Sequence, residues 1–160
     1  MRKATISMRN KILLFMMIAL GMASCDRQTV YHHYEHVADQ GWEKTDTVKF
    51  EIGPIKETGT YGETLEFRTD GLFPFLGIHI TVEQTIKPRG IMLRHSQMCE
   101  LMNQDGSQKG SGISFYQSPF PLDDIELQQG DTLCVSVFHN MKREILPGIS
   151  NIGIRLSGAH

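Results

Sequence analysis

From Val30 onward, apolar and polar residues alternate with a period of two, not the 3.6 of a helix. Val48, Phe50 and Ile52 alternate with Lys49 and Glu51, and Tyr61, Leu65 and Phe67 sit among Glu63, Thr64, Glu66 and Arg68. The clearest case runs from Gly77 to Ile86, where Ile78, Ile80 and Val82 share one face and His79, Thr81 and Glu83 the other. Leu133, Val135 and Val137, then Ile152, Ile154 and Leu156, repeat the pattern near the C-terminus. Gly53-Pro54, Asp70-Gly71, Pro88-Arg89-Gly90, Asp105-Gly106, Gly130-Asp131 and Pro147-Gly148 punctuate these runs with turn signals. The single candidate helix is short, His139 to Leu146. Many strands, frequent turns and no strand-helix-strand rhythm predict an all-β fold: one antiparallel β-sandwich of the jelly-roll kind.

The first 25 residues follow a different rule. Arg2, Lys3, Arg9 and Lys11 make a positive segment, and no acidic residue precedes Asp26. Ile12 to Met22 is an apolar run of eleven residues, the length of a signal h-region and too short to cross a bilayer as a helix. It ends in Met22-Ala23-Ser24-Cys25, which resembles the bacterial lipobox: apolar, small, small, cysteine. The expectation is a signal peptide of residues 1–24, cleaved between Ser24 and Cys25, with lipid attached to Cys25. An ordinary secretory signal with a chance cysteine is the plainer alternative, and a start at Met8 would leave the same features. Residues 25–40 are polar and read as the arm spacing a β-sandwich domain, 41–160, from the membrane. That length suffices for one core.

The chain carries 16 basic and 18 acidic residues. The four basic residues named above would leave with the signal and no acidic one would, so the mature body has 12 against 18, or −6. A body of that sign is a poor partner for nucleic acid or an anionic membrane surface. With Cys25 lipidated, Cys99 and Cys134 remain. An exported chain permits a bridge between them, and two reduced cysteines in apolar strands are an equal alternative.

His32-His33-Tyr34-Glu35-His36 matches the H-x-x-E-H zinc-peptidase pattern letter for letter. On a helix, His32 and His36 would share a face, with Glu35 placed to polarise a water. No long helix surrounds the motif, so the reading here is a polar arm running into a first strand, with no metal and no catalytic residue. Gly110-Ser111-Gly112 lacks the strand-to-helix setting of a nucleophile elbow, and the Asp105 to Gly112 run lacks the Gly-Lys-Ser/Thr ending of a phosphate loop. A glycine-rich hairpin accounts for it better. Asp123, Asp124 and Asp131 have no calcium-loop spacing. Trp42, after Gly41, reads as a core anchor; an exposed Trp42 stacking on a sugar or a partner is the functional alternative.

Several pieces together resemble the gliding-motility lipoprotein GldH family of the Bacteroidetes. They are Cys25 with Val30-Tyr31, then Gly41-Trp42-x-Lys44-x-Asp46-Thr47-Val48-x-Phe50 and Phe73-Pro74-Phe75. Asp105-Gly106-x-x-x-Gly110-x-Gly112, Asn140-Met141-Lys142, Leu146-Pro147-Gly148-Ile149 and Ile152-Gly153-Ile154 complete the order. This chain has Phe73 where the family often has tyrosine, and Lys142 where it often has arginine. The resemblance implies an envelope lipoprotein supporting a gliding apparatus linked to type IX secretion, with no enzymatic activity, no cofactor and no catalytic residues to transfer. Its partners would be the membrane, through the N-terminal lipid, and other envelope or gliding-apparatus proteins. Asp26 resembles an enterobacterial inner-membrane retention signal, but that rule does not carry to Bacteroidetes, and the outer membrane is favoured. A glycan- or peptide-binding surface module, with Trp42 and its neighbours as platform, is the competing expectation.

Overall fold

A computed structural model describes residues 28–158; the signal segment, Ser24 and Cys25 lie outside them. Twelve strands follow in chain order: β1 (Thr29–His36), β2 (Trp42–Glu43), β3 (Val48–Ile52), β4 (Gly59–Thr69), β5 (Gly77–Lys87) and β6 (Ile91–Glu100), then β7 (Ser111–Gly112), β8 (Tyr116–Pro121), β9 (Ile125–Leu127), β10 (Thr132–His139), β11 (Ile145–Leu146) and β12 (Ile149–Ser157). One antiparallel sheet runs β1-β12-β4-β8-β7, with β9 also on β4. The second runs β3-β10-β5-β6, and β2 and β11 form a small separate pair.

The period-two pattern becomes two facing apolar surfaces. Leu65 and Phe67 of β4 and Ile152, Ile154 and Leu156 of β12 line the inside of the first sheet. Ile78, Ile80 and Val82 of β5 and Leu133, Val135 and Val137 of β10 line the inside of the second, and all are sealed from solvent. Successive residues of a strand point to opposite faces, so an alternating sequence can bury one face completely only as a strand. The all-β sandwich expected from the sequence is the fold observed.

Three local expectations differ. The segment 139–146 forms no helix: His139 ends β10, and Ile145 and Leu146 pair with Glu43 and Trp42. Sheet pairing to a distant segment overrides the local preference there. Within the stretch 25–40 read as a spacer, Thr29–His36 form an edge strand on β12, so the folded body reaches back to residue 29. The opposite face of β5 is not fully solvated either. Thr81 is buried, with its hydroxyl 2.8 Å from Ser96 Oγ and accepting from Asn140 Nδ2 at 2.6 Å.

The strand directions sort the loops to two poles. Thr29 pairs with Ser157, and Gly158 N donates to Gln28 O at 2.7 Å, so both ends of the described chain leave from one pole. That pole is latched by Arg89, whose guanidinium grips Asp131 (Nη2 to Oδ2 2.6 Å) and donates to the Glu126 carbonyl. These contacts hold the Asp131 carboxyl below its usual range. The other pole gathers the segments 37–47, 70–76, 101–115 and 140–148. Seven residues of β4, from the rung at Gly62 to that at Thr69, separate the poles by roughly 24 Å.

Candidate functional site

The histidine motif lies on β1, and the strand takes apart what a helix would have joined. His32, Tyr34 and His36 face outward, and His33 and Glu35 the other way. His32 and His36 stand roughly 13 Å apart along a strand, against one turn of a helix. His33 pairs with Glu35 at 3.1 Å and His36 with Asp39 at 3.3 Å, both in solvent. Among the described residues, no group of three or more His, Cys, Asp or Glu side chains is placed to hold a metal.

His32 instead joins a cluster on the outer face of the first sheet, centred on Glu66 of β4. Glu66 is almost wholly buried although it points away from the core. His32 Nε2 lies 3.0 Å from Glu66 Oε2, Gln117 Nε2 of β8 donates to that oxygen at 3.1 Å, and the Tyr34 hydroxyl donates to it as well. Arg155 Nε of β12 lies 3.2 Å from the second oxygen, close enough for charge attraction but off the line of a hydrogen bond. Tyr34 crosses the sheet to reach Glu66, and the rung Tyr34–Gly153–Glu66 shows how. A Cβ at Gly153 would meet the Tyr34 ring at 2.6 Å, so only glycine lets the ring lie there. Arg68 stacks on the ring, its Cζ 3.7 Å from the centroid. Burial and the acceptor Glu66 push the Tyr34 hydroxyl pKa well above its ordinary value. The alternation places Glu66 and Arg155 outward, but no spacing in the sequence announces that three strands bring them together.

Two other reactive groups lie in the core and can do no chemistry on a ligand. Glu63 of β4 faces inward and accepts from Gln84 Nε2 of β5; burial pushes its pKa up to about 8. A perturbed carboxyl in a cleft would be a catalytic candidate, but Glu63 is closed in among apolar side chains. Cys99 is buried and its thiol is pushed up to about 12, which leaves it an inert hydrophobe. Both cysteines are free. Cys99 pairs with Ile78 of β5 and Cys134 with Thr85, seven residues further along the same strand, roughly 24 Å away and beyond the reach of a bridge.

Trp42 is buried, so its ring is a core anchor and the alternative, an exposed stacking platform, is absent at that residue. Its indole N–H donates to the Asp46 carbonyl at 3.1 Å, and its ring meets His139 edge-on at 5.1 Å. His139 Nε2–H donates to the Trp42 carbonyl at 3.3 Å, and burial lowers its pKa. Trp42 anchors the loop pole, where it pairs with Leu146. Two residues on, Gly148 has φ +80°, and a Cβ there would strike Phe73 N at 2.2 Å. Asp70 N donates to the Gly148 carbonyl at 2.9 Å. The Gly41-Trp42, Phe73-Pro74-Phe75 and Leu146-Pro147-Gly148 pieces are thus one interlocked unit. Within the Asp105 to Gly112 run, the Met102–Gln108 bridge closes a turn over 103–107, and Ser111 and Gly112 go on to pair with β8.

On this rigid unit stand side chains that belong, by composition, in a core. Ile113 is 93% exposed, Leu72 72%, Phe115 57% and Leu76 52%. Leu72 follows Thr69, which pairs with Tyr116, so Leu72 and Phe115 emerge from adjacent strand ends. Beside them a cavity of about 350 Å³ is lined by Leu76, Met98 and Met102, with Lys109 and Glu100 paired at its rim. Clustered exposed apolar side chains mark contact surfaces. The alternation of the strands gives no signal for these positions, because they lie in the turns.

The chain matches the family model described as GldH lipoprotein over residues 29–156. It is 20% identical over 154 residues to the gliding motility lipoprotein GldH homolog of Christiangramia forsetii, covering 91% of this chain and 93% of that one. It is 24% identical over 101 residues to the gliding motility lipoprotein GldH of Flavobacterium johnsoniae, covering 63% of this chain and 62% of that one. Among solved structures, a family 35 carbohydrate binding module from Clostridium thermocellum superposes with a TM-score of 0.40 at 11% identity, over 82% of this chain and 90% of that one. So loose a likeness says nothing about ligands. The family match spans the whole described sandwich, from the first residue of β1 to the last but one of β12. This chain belongs to the GldH lipoprotein family.

Proposed function

We propose that the chain is a non-catalytic structural component of a gliding-related envelope assembly, lipidated on Cys25 after removal of residues 1–24 and held in the outer membrane. Its loop pole meets a partner protein of the envelope. The observation that carries this reading is the separation of the two poles: the chain leads back to Cys25 from one, and Leu72, Ile113 and Phe115 project from the other. A lipid tether confines the body to two dimensions and raises its effective concentration near membrane-bound partners. The four Cα-to-Cα steps from Cys25 to Thr29 reach at most about 14 Å, so the body sits close to the membrane and its loop pole faces away.

Two measurements in cells test this. Cys25→Ala should leave the protein out of the membrane fraction; retention there with unchanged mass would overturn the anchor. Ile113→Asp with Phe115→Asp should keep the membrane location and the thermal melt while abolishing the movement or secretion that the intact gene supports. Unchanged movement with that double variant would overturn the docking pole.

A further inference from the structure

The strand nearest the proposed anchor is fastened in an unusual way. β1 is an edge strand, paired only with β12, and five of its eight residues are exposed. A strand held by one ladder at a sheet edge is ordinarily among the first parts of a domain to open. Here two of its side chains reach past β12 to the next strand in. His32 and Tyr34 both end on Glu66 of β4, the tyrosine through the gap that Gly153 leaves in β12. Arg68 of β4 closes over the ring, and Gln117 of β8 and Arg155 of β12 hold the carboxylate from the other sides. Four strands therefore share one buried carboxylate on a face that would otherwise be open to water.

The direction of β1 gives this fastening a purpose. Its N-terminal end lies at the anchored pole and its C-terminal end at the loop pole. If the membrane draws on Thr29 while a partner holds the loop pole, β1 is pulled along its own axis past β12. The rungs from Tyr31–Leu156 to His36–Asn151 then carry the load together and do not open one after another. Sliding by even one rung would also drag Tyr34 off Gly153 and away from Glu66.

We propose that the Glu66 cluster is a mechanical clamp, and that β1 is the load-bearing link through which force passes between the lipid and the body. This rests on the anchored, two-pole reading above, so the test is made on the purified full chain in detergent micelles, where neither lipid nor partner is needed. Optical-trap stretching between a handle at the N-terminus and a second on a ligase tag inserted at Ser114 applies load along β1. Tyr34→Phe and Glu66→Gln should lower the force at which β1 first releases. Stretching between the C-terminus and the same tag should show a smaller loss. Hydrogen exchange at zero load gives the second readout: β1 amides in either variant should exchange at least tenfold faster, with the amides of β5 and β10 unchanged. Equal release forces in wild type and variants, or exchange that quickens alike in every strand, would overturn the clamp. Failure of the Cys25→Ala experiment with these results intact would instead remove the anchor and leave the clamp standing.

Discussion

Glu63 and Glu66 stand three residues apart on β4, both almost sealed from solvent, and face opposite sides of one sheet. Around Glu66 the protein gathers donors from β1 and β8 and a guanidinium from β12. A carboxylate offers only acceptors, and these neighbours meet it with donors and a positive charge. Around Glu63 there is one amide, Gln84, within apolar walls. Glu63 Oε1 and Gln84 Oε1 are both left without a partner. Protonation mends this, because a carboxylic acid O–H can donate to the Gln84 carbonyl while the amide N–H donates back. The same residue type on the same strand is thus ringed by donors outside and shut among apolar side chains inside. Burial costs an ionised group dearly unless it is surrounded by partners.

The largest effect should come from placing an acid in the core without such a partner. Ile80→Asp puts a carboxyl on the inner face of β5, where Ile78 and Val82 flank it and its cross-strand neighbours, Gln97 and His139, are already engaged with Cys99 and the Trp42 carbonyl. The expected loss is several kcal/mol, a large part of the 5–15 kcal/mol typical of a domain. A thermal melt that falls by only a few degrees would show that the core accommodates unpaired acids, and the contrast with Glu63 would collapse.

Glu63→Gln sharpens the comparison through pH. The folded pKa of about 8 lies above the ordinary 4.5, so the folded state binds the extra proton between those values. Stability from this group is fully present below about pH 4.5 and is lost as pH rises through 8. At 1.36 kcal/mol per unit the span is up to about 5 kcal/mol. An amide at 63 mimics the protonated acid at every pH. Glu63→Gln should therefore match wild type near pH 4.5 and exceed it at pH 8, by a few kcal/mol in denaturant melts. Parallel curves for the two chains would mean that Glu63 ionises in the core.

Thr81→Asp should be intermediate. Alternation alone marks this position as outward and harmless, yet Ser96 and Asn140 enclose its hydroxyl. An aspartate there keeps one donor, Asn140, and loses space, for a cost of about 1–3 kcal/mol by melt. A cost equal to that of Ile80→Asp would show that the two faces of β5 are equally intolerant of charge.

Much of this fold was legible because alternation is a physical constraint: β5, β10 and β12 can bury their apolar residues only as strands. Alternation also says which way Glu63 and Glu66 point, one inward and one outward. It cannot say that both are buried, because that depends on which strands lie alongside. Tyr34 and Glu66 lie 32 residues apart, with Gly153 far beyond both in the chain, and the three meet only through register. The residues of β1 look like a spacer because His32, His33, Glu35 and His36 are polar, and all three histidines are in fact exposed. The pairing of Ile145 and Leu146 with Glu43 and Trp42 is likewise invisible locally. The exposed Ile113 and Phe115 lie between strands, where the periodic signal stops. Cys25, the residue on which the anchor reading depends, lies outside the described residues, and its lipobox-like context is what supports that reading.

The smallest effects separate members of the histidine motif itself. His33 and His36 pair with Glu35 and Asp39 in solvent, and such pairs contribute about 0–1 kcal/mol because water screens them. His33→Ala and His36→Ala should each shift stability by under about 0.5 kcal/mol. His32 is different, since its ring is one wall over Glu66 and its removal takes a donor from a buried acceptor. His32→Ala should cost about 1 kcal/mol, and it should quicken hydrogen exchange in β1 more than either neighbour's removal does. Melts and exchange on the three single variants decide the matter. Three equal and negligible effects would mean that Tyr34, Gln117 and Arg155 satisfy Glu66 without the histidine. The clamp would then be narrower than the distances imply.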